Sequence, residues 1–211
     1  MITLYTWTTP NGRKISILLE ELGIPYQAKI VNLQKNEQFE PEFLKVAPNN
    51  KIPAIVDDEA EGGALSIFES GAILTYLAEK YGRFLGTTVA ERYKTLEWLY
   101  WQMSSVGPIF GQLGFFAVRS PEKSPLAIQR FVEEAERLLA VLDKQLSIST
   151  YVAGENYTIA DIAIYPWIFA AKTFLKDVLN DSFANKLALA RWLALIESRP
   201  AVQRGMLVPQ V

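Results

Sequence analysis

Strand-like patterning stops near residue 86 of this 211-residue chain, and that break constrains the fold more than any other feature. Before it, short runs rich in β-branched and aromatic residues alternate with stretches of helical periodicity. Ile2 to Trp7 reads as a strand. Thr9-Pro10-Asn11-Gly12 is a turn, and Ile15, Leu18, Leu19 and Leu22 then mark one face of a helix that Gly23 ends. Ile24-Pro25 restarts the chain as an extended segment, Tyr26 to Val31. Glu37 to Val46 reads as a short irregular helix. Pro53 to Val56 and Ala64 to Phe68 read as two strands joined by an acidic, glycine-bearing connection, and a helix runs from Ser70 to Tyr81. The order βαβαββα argues for an α/β sandwich whose first two strands, joined by a helix, are parallel and whose last two form a hairpin.

Beyond Tyr81 only helices are expected. Thr88 and Glu91 form a capping box before a helix with Leu96, Leu99, Tyr100 and Met103 on its buried face, and Gly107-Pro108 predicts a kink. Ser124-Pro125 caps a second long helix carrying Ile128, Phe131, Ala135, Leu138 and Leu142. Thr158 and Asp161 form another capping box at the head of a very apolar helix. The last helix holds Leu189, Trp192, Leu193 and Ile196, with Arg199-Pro200 as its stop. The domains expected are therefore 1–81, α/β; a linker, 82–87; and 88–211, all helical.

Chemistry is bounded by two absences. The chain has no cysteine and no histidine. Disulfides, thiolate metal sites and an intrinsic dithiol are excluded, and so is the commonest general base. No metal is expected. A formal net charge of −2 supplies no basic footprint for nucleic acid. No apolar run approaches the roughly 18 residues a membrane span needs. The N-terminus enters a strand pattern directly, so a cytoplasmic chain is expected. The nucleophile is expected to arrive with a ligand.

Two segments look suited to receive one. Asn49-Asn50-Lys51-Ile52-Pro53-Ala54-Ile55-Val56 opens a strand through an X-Pro bond and offers an unpaired backbone edge. Phe68-Glu69-Ser70-Gly71-Ala72-Ile73 places a serine, read as an N-cap, at a helix start whose free N–H groups suit a carboxylate. The pair fits a peptide-like molecule with an α-amino acid end.

With NNKIPAI, FESGAI followed by TYLAEKYG, and GENYTIADI in place, the chain resembles the glutathione transferase superfamily over essentially its whole length. The resemblance implies an N-terminal thioredoxin-like domain, an all-α C-terminal domain with a second-substrate pocket, glutathione as co-substrate and a homodimer. Thr8-Thr9-Pro10-Asn11-Gly12 is similar to the Nu class and its fungal relatives, which implies glutathione-dependent reduction of small disulfides, with Thr9 and Asn11 in the catalytic place. Two alternatives remain open: conjugation or ether cleavage on hydrophobic electrophiles by the same thiolate, and a non-catalytic glutathione-binding regulatory module.

Each site residue also has a plainer reading. Thr9-Pro10-Asn11-Gly12 is, on spacing alone, a turn whose Asn caps a helix. The resemblance makes Pro53 a cis proline and gives the Ile52 backbone an antiparallel pairing with the cysteinyl part of glutathione. It sets Lys51 and Gln38 near the glycyl end, where both are equally readable as solvated surface. Glu69 takes the α-ammonium and Ser70 the α-carboxylate of the γ-glutamyl end. Arg130 is a further glutathione contact by resemblance and a solvated helix residue otherwise. Glu133 and Arg137 read as an i,i+4 ion pair. Thr158 and Asp161 are structural. Among Trp98, Tyr100, Trp101, Phe110, Phe115 and Phe116, some are expected to line an apolar cleft.

Overall fold

The computed structural model describes residues 1–179 and 181–210. They form two compact units, one of Met1–Arg83 together with the segment from Glu197 onward, the other of Phe84–Ile196.

The first unit is built on a four-stranded sheet of order β2-β1-β3-β4. Its strands are β1, Ile2–Thr6; β2, Tyr26–Ile30; β3, Ala54–Asp57; and β4, Leu65–Phe68. As the connections require, β1 and β2 are parallel, while β3 is antiparallel to β1 and β4. Helix α1, Pro10–Leu22, ends at Gly23 with φ 69°, the left-handed conformation that glycine adopts without steric cost. Between β2 and β3 the chain makes two 3₁₀ turns, Leu33–Lys35 and Glu37–Phe39, and a four-residue helix α2, Pro41–Leu44. The irregular helix expected at 37–46 is thus shorter, because Pro41 fixes where it starts and Pro48 disfavours helical geometry just before it. Helix α3 spans Ser70–Tyr81. Leu4, Ile15, Leu18, Leu19, Ile55, Ile73, Leu74 and Leu77 are fully buried and make up the core.

In the second unit, α4 spans Val89–Trp101 behind the complete Thr88–Glu91 capping box. A π turn at Gln102–Val106 joins it to α5, Gly107–Gly114, and a second π turn follows at Phe115–Arg119. The irregularity that Gly107-Pro108 signals is therefore a widened turn just upstream, where Pro108 has no N–H to continue the α ladder. Ser124 caps α6, Pro125–Leu146. Helix α7, Ile159–Phe174, begins with the buried Asp161, which accepts from Val152 N at 2.9 Å, Thr158 N at 3.0 Å and Trp192 Nε1 at 2.9 Å. Short α8, Lys176–Leu179, and α9, Leu187–Glu197, complete the unit.

Helix α9 ends before Arg199-Pro200, as expected, but it is not the last helix. Pro200 opens another, α10, Pro200–Met206, as a first-turn proline does. This helix packs on α1, not within the helical unit, unlike the 88–211 span that patterning assigns to the helices. Ser16 Oγ donates to the Gly205 carbonyl at 2.7 Å, and Arg199 pairs with Glu21 at 2.6 and 2.9 Å. A Cβ at Gly205 would fall 2.6 Å from Ile17 Cα, so only glycine permits this approach. No described helix is long and apolar enough to cross a membrane.

Candidate functional site

The sheet register brings the candidate segments of the first unit together. Tyr5 pairs with Ala54, and Ala54 with Phe68, while Thr6 pairs with Ile30. The ends of β2, β1 and β4 and the start of β3 therefore share one end of the sheet. Neighbouring strands lie about 4.8 Å apart, so the segments that leave this end span about 14 Å. In sheet order they are the turn carrying Gln38, then Thr8–Asn11, then Lys51–Pro53, then Glu69–Ser70.

Thr9 is the N-cap of α1. Its φ of −123° and ψ of 159° are extended, and its Oγ1 accepts the Gly12 N–H at 3.2 Å. That bond uses a lone pair and leaves the hydroxyl proton available to donate. Asn11 is half-buried one residue beyond Pro10. Gly12 lets this first turn sit against the end of β1, since a Cβ there would collide with Thr6 Oγ1 and fall 2.5 Å from the Trp7 carbonyl. The turn thus gathers a hydroxyl, an amide side chain and the positive end of a 13-residue helix, an arrangement that favours an anion. Tyr5 faces elsewhere. Its ring lies 5.9 Å from that of Phe43 and its hydroxyl accepts from Lys29 at 3.4 Å.

The Ile52-Pro53 peptide bond is cis. The Ile52 side chain packs with Val31, Phe43, Ala47 and Ala54, while its backbone N–H and C=O have no hydrogen bond among the described residues. Lys51 is exposed and Asn50 is left-handed with φ 48°. Gln38 is half-buried, its Nε2 3.5 Å from Asn36 Oδ1 and its Oε1 buried without a partner among the described residues. A buried carbonyl oxygen without a donor is costly, and such atoms point to a missing one.

At α3 the structure corrects the expected cap. Ser70 is the first helical residue; Glu69 occupies the N-cap with φ 70° and ψ 114°, and its side chain caps nothing. Positive φ at a residue with a Cβ costs on the order of 1–3 kcal/mol, and such strain gathers at functional positions. The first-turn N–H groups are left uncapped beneath an exposed carboxylate. Ser70, only 6% exposed, accepts from Lys14 Nζ at 3.2 Å through its Oγ. Lys14 lies on α1 and is 1% exposed. Burial lowers its pKa to about 7, against the opposing pull of Glu69.

Lys14 is the residue that sequence reading missed. The signal was present: positions 14, 15, 18, 19 and 22 form one stripe, so the lysine falls on the apolar face. Arg130, on α6 in the second unit, is 63% exposed on its side chain and lies 3.9 Å from Glu134. The expected Glu133–Arg137 pair is absent: Arg137 takes Glu134 instead, at 2.6 and 3.0 Å, and Glu133 accepts from Gln129 at 3.0 Å.

Residues 1–79 match the family described as Glutathione S-transferase, N-terminal domain, and residues 106–200 match Glutathione S-transferase, C-terminal domain. The disulfide-bond oxidoreductase YfcG of Escherichia coli strain K12 is 48% identical, over 100% of this chain and 97% of its own. A crystal structure of a glutathione transferase family member from Pseudomonas fluorescens, with two glutathione bound, superposes with a TM-score of 0.93 at 48% identity over 97% of this chain and 92% of that one. A glutathione transferase from Pseudomonas putida, with one glutathione disulfide bound per subunit, gives 0.94 at 44% identity, covering 99% and 91%.

Proposed function

This chain belongs to the glutathione S-transferase family, and from that premise we propose that it reduces small disulfides with glutathione. The observation that carries the reading is the row of four segments at one end of the sheet in a chain without cysteine. An extended tripeptide fits that row in order. Its γ-glutamyl carboxylate goes to the uncapped N–H groups and hydroxyl of Ser70, and its α-ammonium to Glu69. Its cysteinyl backbone pairs with Ile52 beside Pro53, and its glycyl end lies toward Lys51 and Gln38. Arg130 is carried as a further glutathione contact on the resemblance alone.

This placement sets the sulfur by the start of α1. A cysteine thiol has an unperturbed pKa near 8.5. The hydroxyl of Thr9, the amide of Asn11 and the helix dipole lower it by favouring the thiolate. The thiolate attacks one sulfur of the substrate disulfide, forming a mixed disulfide and releasing a thiolate. A second glutathione thiolate attacks the glutathionyl sulfur, giving glutathione disulfide and the second product thiol. Two glutathiones are oxidised and one disulfide is reduced, with no bond made to the protein.

The same proposal includes Nu-class identity, on the Thr9-Pro10-Asn11 turn, and a cytoplasmic setting, where the glutathione pool is reducing. It also includes a homodimer. Exposed apolar residues support an interface: Leu65 and Phe68 on the edge strand β4, and Tyr93 and Tyr100 on α4. The test is reduction of 2-hydroxyethyl disulfide by glutathione, with 1-chloro-2,4-dinitrobenzene conjugation measured beside it. Disulfide turnover well above the uncatalysed rate, and above conjugation, is expected. A rate equal to background overturns the assignment.

A further inference from the structure

We infer that Trp7 supplies a third donor to the ligand sulfur, through its indole N–H, beside Thr9 and Asn11. The inference rests on the glutathione reading above. Tyr5 pairs with Ala54 across the antiparallel strands β1 and β3, so that register continued by two residues sets Trp7 opposite Ile52. Side chains alternate between the faces of a strand, and Trp7 stands on the face opposite the fully buried Thr6. There the indole packs against the cluster of Val31, Phe43, Ala47, Ile52 and Ala54 and remains half-buried. Its backbone is fixed as well, because the Trp7 carbonyl accepts the Thr9 N–H at 2.7 Å in the turn that opens α1. Trp7 thus joins the two segments between which the cysteinyl part of the tripeptide is placed.

The indole N–H is the feature that calls for a ligand. No described residue accepts it, and the nitrogen is not sealed from the surface. Trp192 shows how an enclosed indole is satisfied: its Nε1 donates to Asp161 at 2.9 Å. An indole nitrogen only donates, so its complement is an acceptor. In the proposed placement the cysteinyl N–H and C=O are taken by the Ile52 backbone, which leaves the sulfur as the acceptor on this side of the tripeptide. A thiolate is a strong acceptor, and the N–H edge is the electropositive edge of the ring. A bond at that edge favours the thiolate over the thiol, as bonds from Thr9 and Asn11 do. An uncharged thioether sulfur draws little from the same donor.

The experiment follows the indole N–H directly. Protein carrying ¹⁵N in its tryptophan indoles gives five N–H signals, one for each tryptophan. Trp7→Phe keeps an aromatic ring without the N–H, and the signal it loses is that of Trp7. With saturating glutathione, the Trp7 indole proton should move downfield as pH is raised through the ionisation of the bound thiol. With S-methylglutathione, which has no titrating thiol, it should not follow pH. In kinetics with 2-hydroxyethyl disulfide, Trp7→Phe should lower kcat at pH 7 about tenfold, the effect of one hydrogen bond to a charged group, and move the rise of kcat to higher pH. Its dissociation constant for S-methylglutathione, measured by calorimetry, should stay within about twofold of the wild-type value, which separates a lost donor from a damaged site. If Trp7→Phe fails to fold, Trp7→Leu serves for the assignment and the pH profile. A Trp7 signal indifferent to the ionisation of bound glutathione, or an unchanged pH profile in the folded variant, overturns the inference. If neither glutathione nor S-methylglutathione binds the wild type, it is the glutathione reading that fails.

Discussion

Replacing Thr9 by valine removes an oxygen at nearly constant volume, and its consequences divide cleanly between fold and chemistry. In the fold, the Gly12 N–H loses its acceptor at 3.2 Å, and an N-cap of this kind contributes about 1 kcal/mol. In the proposed placement of the tripeptide, the hydroxyl proton is also lost as a donor to the sulfur. A hydrogen bond to a charged group contributes roughly 1.5–3 kcal/mol, which corresponds to between about tenfold and about a hundredfold in rate if it is made fully to the thiolate. The tripeptide is held mainly at Ile52, Glu69 and Ser70, so KM for glutathione should rise by less than about threefold in this scheme. The direction of the pH effect also follows. A donor that favours the thiolate lowers the thiol pKa, so without it the rise of kcat with pH moves to higher pH. Steady-state kinetics with 2-hydroxyethyl disulfide across pH 6–9, run beside Thr9→Ser as the variant that restores the hydroxyl, make the measurement. An unchanged kcat and pH profile with a raised KM would refute the reasoning and leave Thr9 as a ligand-positioning group only.

Three further outcomes are expected. Glu69→Gly relieves a left-handed backbone at φ 70°, so it should raise stability by about 1 kcal/mol in a urea titration while weakening glutathione binding at least tenfold, the joint signature of strain kept for function. Asp57 is fully buried and accepts from Tyr76 at 2.7 Å, from Lys80 and from the Glu59 N–H. Burial pushes its pKa up, but the Lys80 and Tyr76 hydrogen bonds outweigh that and leave it below the ordinary value of 3.8. Its contribution is complete above that value and disappears as pH falls through the folded pKa, so Asp57→Asn should cost on the order of 2 kcal/mol at pH 7 and progressively less below pH 4 in acid unfolding curves. Gly205→Ala sets a methyl group 2.6 Å from Ile17 Cα, and overpacking of this kind should lower stability by roughly 1–3 kcal/mol in thermal unfolding.

Much of the fold was legible because local chemistry and tertiary structure agree. The two capping boxes at Thr88 and Thr158 form as the spacing predicts, and the strand directions follow from the lengths of their connections. What was not legible depends on partners distant in sequence. Ser70 has the composition of an N-cap, yet Lys14, 56 residues away, holds its hydroxyl, and the cap position passes to Glu69. Pro200 both stops and starts helices, and it takes contacts distant in sequence, Gly205 against Ile17 and the Ser16 hydroxyl on the Gly205 carbonyl, to show that α10 sits on α1. At the site, the cis Ile52-Pro53 bond was readable from the resemblance, whereas the turn reading gave the cap of α1 to Asn where the structure gives it to Thr9. Lys14 was not readable, because a lone lysine on an apolar stripe is easily read as a solvated residue at its edge.

In the proposed reaction the protein supplies only placement and dipoles to a sulfur that arrives with the tripeptide. A crystal structure of the glutathione complex tests it most directly. The sulfur is expected within about 3.5 Å of Thr9 Oγ1 or Asn11 Nδ2, with the γ-glutamyl carboxylate on the N–H groups at Ser70. A tripeptide bound elsewhere, or one whose sulfur points away from the start of α1, would contradict it.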